Sequence, residues 1–265
     1  MKKTILITGS TDGIGKLTAT KLAADGHEVY LHGRNKNKLD AVISEIISAT
    51  GNKSVKGFVA DFSDLEAVKQ MTQQVNSDLS KLDVLINNAG VFHSPESHNK
   101  NGLELRFVVN YFAQVLFTNE LLPLLKKSEQ ARVVNLSSAA QSSISFEALK
   151  GEESIGVSDA YAQSKLAFTM WSFYMAREVP ELMVVAVNPG SLLNTKMANE
   201  AYGQYWSPAE KGADILIALG VSDEFSDVSG KYFDNDRASF AMAHPDAYDQ
   251  VILADLIELT QKMIG

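Results

Sequence analysis

Thr4-Ile5-Leu6-Ile7-Thr8-Gly9-Ser10-Thr11-Asp12-Gly13-Ile14-Gly15 begins three residues into the chain and decides its fold. Ile5-Leu6-Ile7 reads as a strand buried on both faces. From Ile14 to Asp25 the apolar residues recur at helical spacing, and Gly26 stops the run. The three glycines between strand and helix are spaced Gly-x3-Gly-x-Gly, not Gly-x-Gly-x-x-Gly. They let a ligand approach the backbone closely, and a diphosphate there would meet the helix N-terminus, which favours negative charge. An ordinary glycine-rich turn is the competing reading. Placement at the first strand–helix junction favours the phosphate cradle.

Outward from this turn, short apolar runs alternate with amphipathic segments to the end of the chain. Strands are expected at Glu28–Leu31, Val55–Ala60, Val84–Ile86, Arg132–Leu136, Met183–Val187 and Lys231–Phe233. Helices are expected at Lys36–Ala49, Leu65–Leu79, Leu103–Leu125 with Pro123 bending or ending it, Ala160–Glu178 and Asp246–Met263. The alternation predicts an α/β, doubly wound Rossmann fold whose seven-stranded sheet is mostly or wholly parallel, with helices on both faces. Two stretches resist assignment, 139–158 and 191–205, and loops of that length are usually functional or mobile.

The 265 residues are read as a single domain, spanning 1–265. A net charge of -8 and a sequence pI near 5.2 argue against a nucleic-acid partner. Cysteine is absent, which removes disulfides, thiolate metal sites and thiol nucleophiles. The five histidines show no ligand-like pairing, so no metal is expected. The first apolar run is too short for a signal-peptide core, and no run approaches the roughly 18 residues of a membrane span. The expectation is a soluble, cytoplasmic protein.

Several positions carry chemistry. Arg34, after the second strand, suits a ribose 2′-phosphate, or is a solvated arginine beside Lys36 and Lys38. Asp61 is placed to contact an adenine edge, or is an acid at a helix N-terminus. Asn87-Asn88-Ala89-Gly90 allows close approach of a ligand, or is a plain turn. Asn110 sits among Phe107, Val108, Val109 and Phe112, where a buried amide must find partners. Tyr161 and Lys165 lie four apart in a helical pattern and share a face. An ammonium beside a phenol favours its anion, making the phenol a usable proton donor and acceptor. Taken alone, the pair reads as two surface residues at chance spacing.

Thr8–Gly15, Asn87–Gly90, Asn110, Ser138, Tyr161, Lys165 and Asn188-Pro189-Gly190 occur together in one order. In this set the chain resembles the short-chain dehydrogenase/reductase family over nearly its whole length. The resemblance implies an oxidoreductase that interconverts a carbonyl and an alcohol by hydride transfer. Tyr161 would be the general acid/base, Ser138 would bond the reacting oxygen, and Lys165 would bond the nicotinamide ribose and assist Tyr161. Asn110 would hold a water in a proton relay to Lys165. A catalytically silent NADP(H)-binding sensor is the alternative, and the intact tyrosine and lysine count against it.

The cofactor implied is NADP(H), with NAD(H) the other candidate. Its contacts would begin at Gly9, Ser10, Thr11, Asp12, Gly13, Ile14 and Gly15, with Arg34 and Asn35 at the 2′-phosphate and Asp61 and Phe62 at the adenine. Asn88, Ala89, Gly90, Tyr161, Lys165, Pro189, Gly190 and Leu192 would complete the set. The chain departs from the family in carrying Asp12 where many NADP-preferring members have a basic residue. It also carries Asn194 where a threonine is usual, with Thr195 one place later.

Ser138 and Tyr161 are 23 residues apart, a long gap that marks 141–157 as an inserted loop. With Gly33-Arg34-Asn35 and Gly230–Phe233, this gap is similar to the retinol dehydrogenase-like and WW-domain oxidoreductase-like group, whose members often take apolar substrates. Residues 191–206 would form a substrate lid. Tyr202, Tyr205 and Trp206, with Phe92, His93, Phe146 and Met197, line an apolar pocket or simply pack the loop. Faces bearing Phe107, Phe112 and Leu116 and bearing Ala162, Leu166 and Phe173 are either core or a subunit contact. The resemblance implies a homodimer or homotetramer.

Overall fold

A computed structural model describes residues 1–265, the side chains of 201 and 202 excepted. Eight strands form one sheet in the order β3-β2-β1-β4-β5-β6-β7-β8. They are β1 (Thr4–Ile7), β2 (Glu28–Gly33), β3 (Val55–Val59), β4 (Val84–Asn87), β5 (Arg132–Leu136), β6 (Met183–Asn188), β7 (Tyr232–Asp234) and β8 (Ser239–Ala241). The first seven run parallel, and β8 turns back antiparallel on β7. The eighth strand corrects the expected count of seven. Its three residues, Ser-Phe-Ala, are too few for a period to show.

The helices are α1 (Gly13–Ala24), α2 (Lys36–Thr50), α3 (Leu65–Asp78), α4 (Leu105–Phe107), α5 (Ala113–Leu125), α6 (Phe146–Lys150), α7 (Val157–Glu178), α8 (Lys196–Tyr202), α9 (Ala209–Val221) and α10 (Gln250–Ile264). The sequence reading has no helix at α9, yet parallel β6 and β7 need a crossover, and an α-helix usually supplies it. The expected loop 139–158 contains α6 and the start of α7, and the expected loop 191–205 contains α8. A π-helical turn, Val108–Phe112, joins α4 to α5, and Pro123 lies inside α5 without ending it.

Strand side chains alternate between two cores, as a period of two requires. Leu6, Leu85, Val133 and Val184 pack with α3, α5 and α7, whereas Ile5, Ile7, Val134 and Val185 pack with α1, α2 and α9. Phe107, Phe112, Leu116, Leu166 and Phe173 all belong to the first core. Helix α10 lies against α7 and the π-helical turn, and Tyr111 and Thr260 share a 2.6 Å hydroxyl hydrogen bond there. The residues proposed as core or subunit contact are therefore core, apart from the half-buried Ala162.

β1 lies between β2 and β4, so the connections leave it on opposite sides. That reversal opens a crevice at the carboxyl ends of the strands, where ligands of such sheets bind.

Candidate active site

A cavity of about 1080 Å³ fills this crevice. Ligand pockets usually measure roughly 300–1,000 Å³, so the space suits a large ligand or two smaller ones.

The glycine turn forms its floor. Gly9 adopts φ +63° and a Cβ there would lie 2.7 Å from the Ala89 Cα; at Gly15 it would lie 2.4 Å from Asn88 Nδ2. Asp12 caps α1, accepting from the Gly13 N–H at 2.9 Å, and takes a 2.7 Å hydrogen bond from Lys38 Nζ. That bond holds the Asp12 carboxyl below its usual range. Gly33, without a side chain, admits Thr11, whose Cγ2 would stand 2.5 Å from a Cβ.

The turn is tied to both neighbouring strands. Asn88 Nδ2 donates to the carbonyls of Thr8 and Gly9 at 2.8 and 2.9 Å. Thr8 Oγ1 accepts from the N–H groups of Asn88 and Ala89, both at 2.9 Å. Buried His32 accepts from the Gly9 N–H at Nδ1, 3.0 Å away, and its Nε2 faces the Ala60 carbonyl at 3.0 Å. The carbonyl can only accept, so Nε2 carries the proton. Burial pushes the His32 pKa down to about 4. The sequence reading assigned His32 nothing; its one signal was a ring within the apolar second strand.

Cofactor candidates separate into two groups. Thr11, Asp12, Arg34, Asp61, Phe62, Asn88, Ala89, Gly90, Pro189, Gly190 and Leu192 line the cavity, with Gly9, Gly13, Ile14 and Gly15. Ser10 and Asn35 do not. Ser10 is fully buried, with its hydroxyl on the Ile7 carbonyl at 2.8 Å, and Asn35 caps α2 through the Lys38 N–H. The Ser10 hydroxyl also accepts from the His32 N–H at 2.9 Å, so both side chains are spent on backbone groups.

At the far end, Ser138, Tyr161 and Lys165 line one wall. Lys165 Nζ donates to the Leu136 carbonyl at 2.8 Å and stands 5.7 Å from the centre of the Tyr161 ring. Burial lowers the Lys165 pKa to about 8. Both members of the serine pair line the cavity, but Ser137 is buried and shares a 2.6 Å hydrogen bond with Thr169, whereas Ser138 is half-buried. Ser138 is held through its carbonyl, which accepts from Tyr232 Oη at 3.0 Å and Gln141 Nε2 at 2.9 Å.

Asn110 lies in the π-helical turn, a feature frequent at functional sites. Its Oδ1 accepts from the Val91 N–H at 2.7 Å; its Nδ2 donates to the Val91 carbonyl and to Ser164 Oγ, both at 3.1 Å. Gly90 passes between Asn110 and Lys165: a Cβ on it would lie 3.4 Å from Asn110 Oδ1 and 3.6 Å from Lys165 Nζ.

Asp236 was missed. It accepts from Asn188 Nδ2 at 2.9 Å and from the Ser191 N–H at 2.8 Å, which fixes the Asn188–Ser191 turn. Its signal was position alone, just past the last parallel strand. Thr195, not Asn194, lines the cavity, and its methyl would stand 3.7 Å from a Cβ on Gly13. Asn194 is turned to Asn199.

Phe92, His93, Met197 and Trp206 also line the cavity, and Trp206 is 71% exposed. Phe146 instead packs against the first core, and Tyr205 does not line the cavity. Tyr202 lies outside the described residues. Among the described residues no helix is long and apolar enough to cross a membrane.

The chain matches the family model for short chain dehydrogenases over residues 3–206. It is 31% identical to retinol dehydrogenase 13 of Mus musculus over 282 residues, covering 99% of this chain and 84% of that protein. With retinol dehydrogenase 12 of Mus musculus it shares 34% identity, over 87% of this chain and 77% of the relative. Among solved structures, a short chain dehydrogenase of Escherichia coli CFT073 complexed with NADPH aligns at a TM-score of 0.74 and 28% identity, covering 89% of this chain and 97% of that one. Fold, cavity and similarity agree, and the chain belongs to the short-chain dehydrogenase/reductase family, within its retinol dehydrogenase-like group.

Proposed function

We propose that this protein interconverts a carbonyl and an alcohol using NADP(H), with Tyr161 as the general acid/base. The observation that carries the proposal is Lys165 Nζ, buried and 5.7 Å from the Tyr161 ring centre, inside the cavity whose floor is the glycine turn. An ammonium at that place favours the phenolate and so eases loss and return of the phenolic proton.

The residues present fit a nicotinamide dinucleotide. Gly9 and Gly15 allow a backbone approach that a Cβ would block, and α1 presents its N-terminus at the turn. The first-turn N–H groups of Ile14 and Gly15 have no acceptor within the helix and suit a diphosphate. Arg34 is exposed at the cavity rim, beside the expected adenosine ribose, and supports the 2′-phosphate assignment and NADP(H) over NAD(H). Asp61 and Phe62 would take the adenine; Asn88, Ala89, Gly90, Pro189, Gly190 and Leu192 the nicotinamide half. When bound, the nicotinamide supplies or accepts the hydride.

The protein's own groups do the remainder. Tyr161 gives its phenolic proton to the carbonyl oxygen in reduction and takes it back in oxidation. Ser138 orients that oxygen with its hydroxyl, and Lys165 holds positive charge beside the phenol. Asn110 fixes Val91 and so the Gly90 backbone that separates it from Lys165, where the proton relay would run. Phe92, Met197 and Trp206, with the retinol dehydrogenase likeness, support an apolar substrate. Residues 191–206 would act as its lid.

Purified protein supplied with NADPH and a panel of apolar aldehydes and ketones should lose reduced-nicotinamide absorbance only when a substrate is present. Tyr161→Phe should abolish that loss while still binding NADPH. Full turnover by the variant would overturn the acid/base assignment.

A further inference from the structure

Arg106 and Glu104 form an ion pair with side chains only 2% and 9% exposed. Removing two charges from water costs several kcal/mol per ion, so such a pair is weak evidence of added stability. Its neighbours indicate another use. Glu104 caps α4, its carboxylate accepting from the Arg106 N–H at 2.7 Å while bonding the Arg106 guanidinium. Arg106 Nε then donates to the Phe92 carbonyl at 2.9 Å. Asn110 grips the preceding residue, Val91, by both its N–H and its carbonyl. Two consecutive residues of the cavity wall are thus fixed from one helix. The Phe92 ring, so placed, meets the Tyr161 ring edge-on with centroids 4.9 Å apart and also meets His93 at 4.9 Å.

We infer that the Glu104–Arg106 pair is a positioning device for Tyr161, acting through the Phe92 carbonyl and ring. The inference rests on the proposed role of Tyr161. A phenol that must reach one oxygen tolerates little misplacement, and a fork-shaped guanidinium held by a carboxylate fixes a carbonyl in direction as well as distance. Phe92 closes one side of the phenol; a smaller side chain there would let the ring tilt and admit water.

The test compares Phe92→Leu, the charge-free double variant Glu104→Gln/Arg106→Met, and all three substitutions together. Each is measured for kcat and KM against pH, for NADPH binding and for thermal unfolding. Tyr161 ionisation is read as the difference in phenolate absorbance between each protein and its Tyr161→Phe counterpart. Phe92→Leu and the double variant should each lower kcat about tenfold and move the Tyr161 titration in the same direction. The combined variant should be no worse than the double, and NADPH affinity should stay within about twofold. Wild-type kcat and titration in Phe92→Leu, or losses that multiply in the combined variant, would overturn the inference. If the double variant does not fold, Phe92→Leu alone decides, by the same kcat and titration. Full turnover by Tyr161→Phe would instead sink the proposed function.

Discussion

The Gly9 N–H donates to Nδ1 of His32 across 3.0 Å, joining the glycine turn to the second strand through an imidazole that must stay neutral. Protonation at Nδ1 would replace the acceptor by a donor facing a donor. The folded value near 4 lies below the usual 6.5, because burial disfavours the cation. Between those values the unfolded chain binds the extra proton, so this group's stabilisation is complete above pH 6.5 and lost as pH falls toward 4. The loss should total about 3 kcal/mol. His32→Gln, compared with the wild type by urea unfolding at several pH values, should be less stable at pH 7 and show a flatter dependence across this window.

Lys165 should limit activity on the alkaline side. Its pKa of about 8 means that the ammonium is lost above that pH in the cofactor-free protein. The value of kcat/KM for NADPH, which reports the free form, should therefore fall with an apparent pKa near 8. Lys165→Arg should be slower but should lack this limb, since guanidinium keeps its charge. An unchanged limb in that variant would assign it to another group.

Gly15→Ala should damage both stability and cofactor binding. The added Cβ would meet Asn88 Nδ2 at 2.4 Å and the Gly9 carbonyl at 2.7 Å, so the turn must shift. Such overpacking usually costs about 1–3 kcal/mol. Thermal unfolding and NADPH titration should register the loss together, whereas Gly26→Asn, with nothing within 4 Å and a φ of +84° that asparagine tolerates better than most residues, should leave NADPH binding unchanged.

Arg34→Ala should discriminate between the cofactors. A charge-assisted contact to a 2′-phosphate contributes about 1.5–3 kcal/mol, so NADPH affinity should drop roughly tenfold to a hundredfold. NADH lacks that phosphate and should be nearly unaffected. Equal losses for both, measured by fluorescence titration, would remove the preference for NADP(H).

Asp236→Ala should loosen the Asn188–Ser191 turn. It removes one of the two acceptors of Asn188 Nδ2, which keeps Asp234, and the acceptor of the more exposed Ser191 N–H, a loss of about 1 kcal/mol. Weaker NADPH binding with kcat retained at saturation is expected, since the exposed Asp236 does not itself line the cavity.

Much of this protein was legible in its residue order. The alternation of apolar runs determined the parallel α/β sheet, and the residues singled out by spacing, Gly9, Gly13 and Gly15, Tyr161 and Lys165, and Asn188-Pro189-Gly190, all line one cavity. Strand and helix periods are short-range properties, carried by neighbours within a few positions, so they can be read without the fold. Helix α9 escaped because its crossover role is a demand of the sheet, and β8 because three residues show no period.

The tertiary structure decided the matters that depend on residues far apart in the chain. It distinguished Ser138 from Ser137, whose hydroxyl is taken by Thr169, and Thr195 from Asn194, through the approach of Thr195 to Gly13. It turned Ser10 to the backbone of Ile7 and His32 and Asn35 to its own helix, gave His32 and Asp236 their partners, and drew Phe92 against Tyr161. The reason is physical: a period marks which side of an element is buried, but a hydrogen bond is a choice of one partner among many, and packing makes that choice.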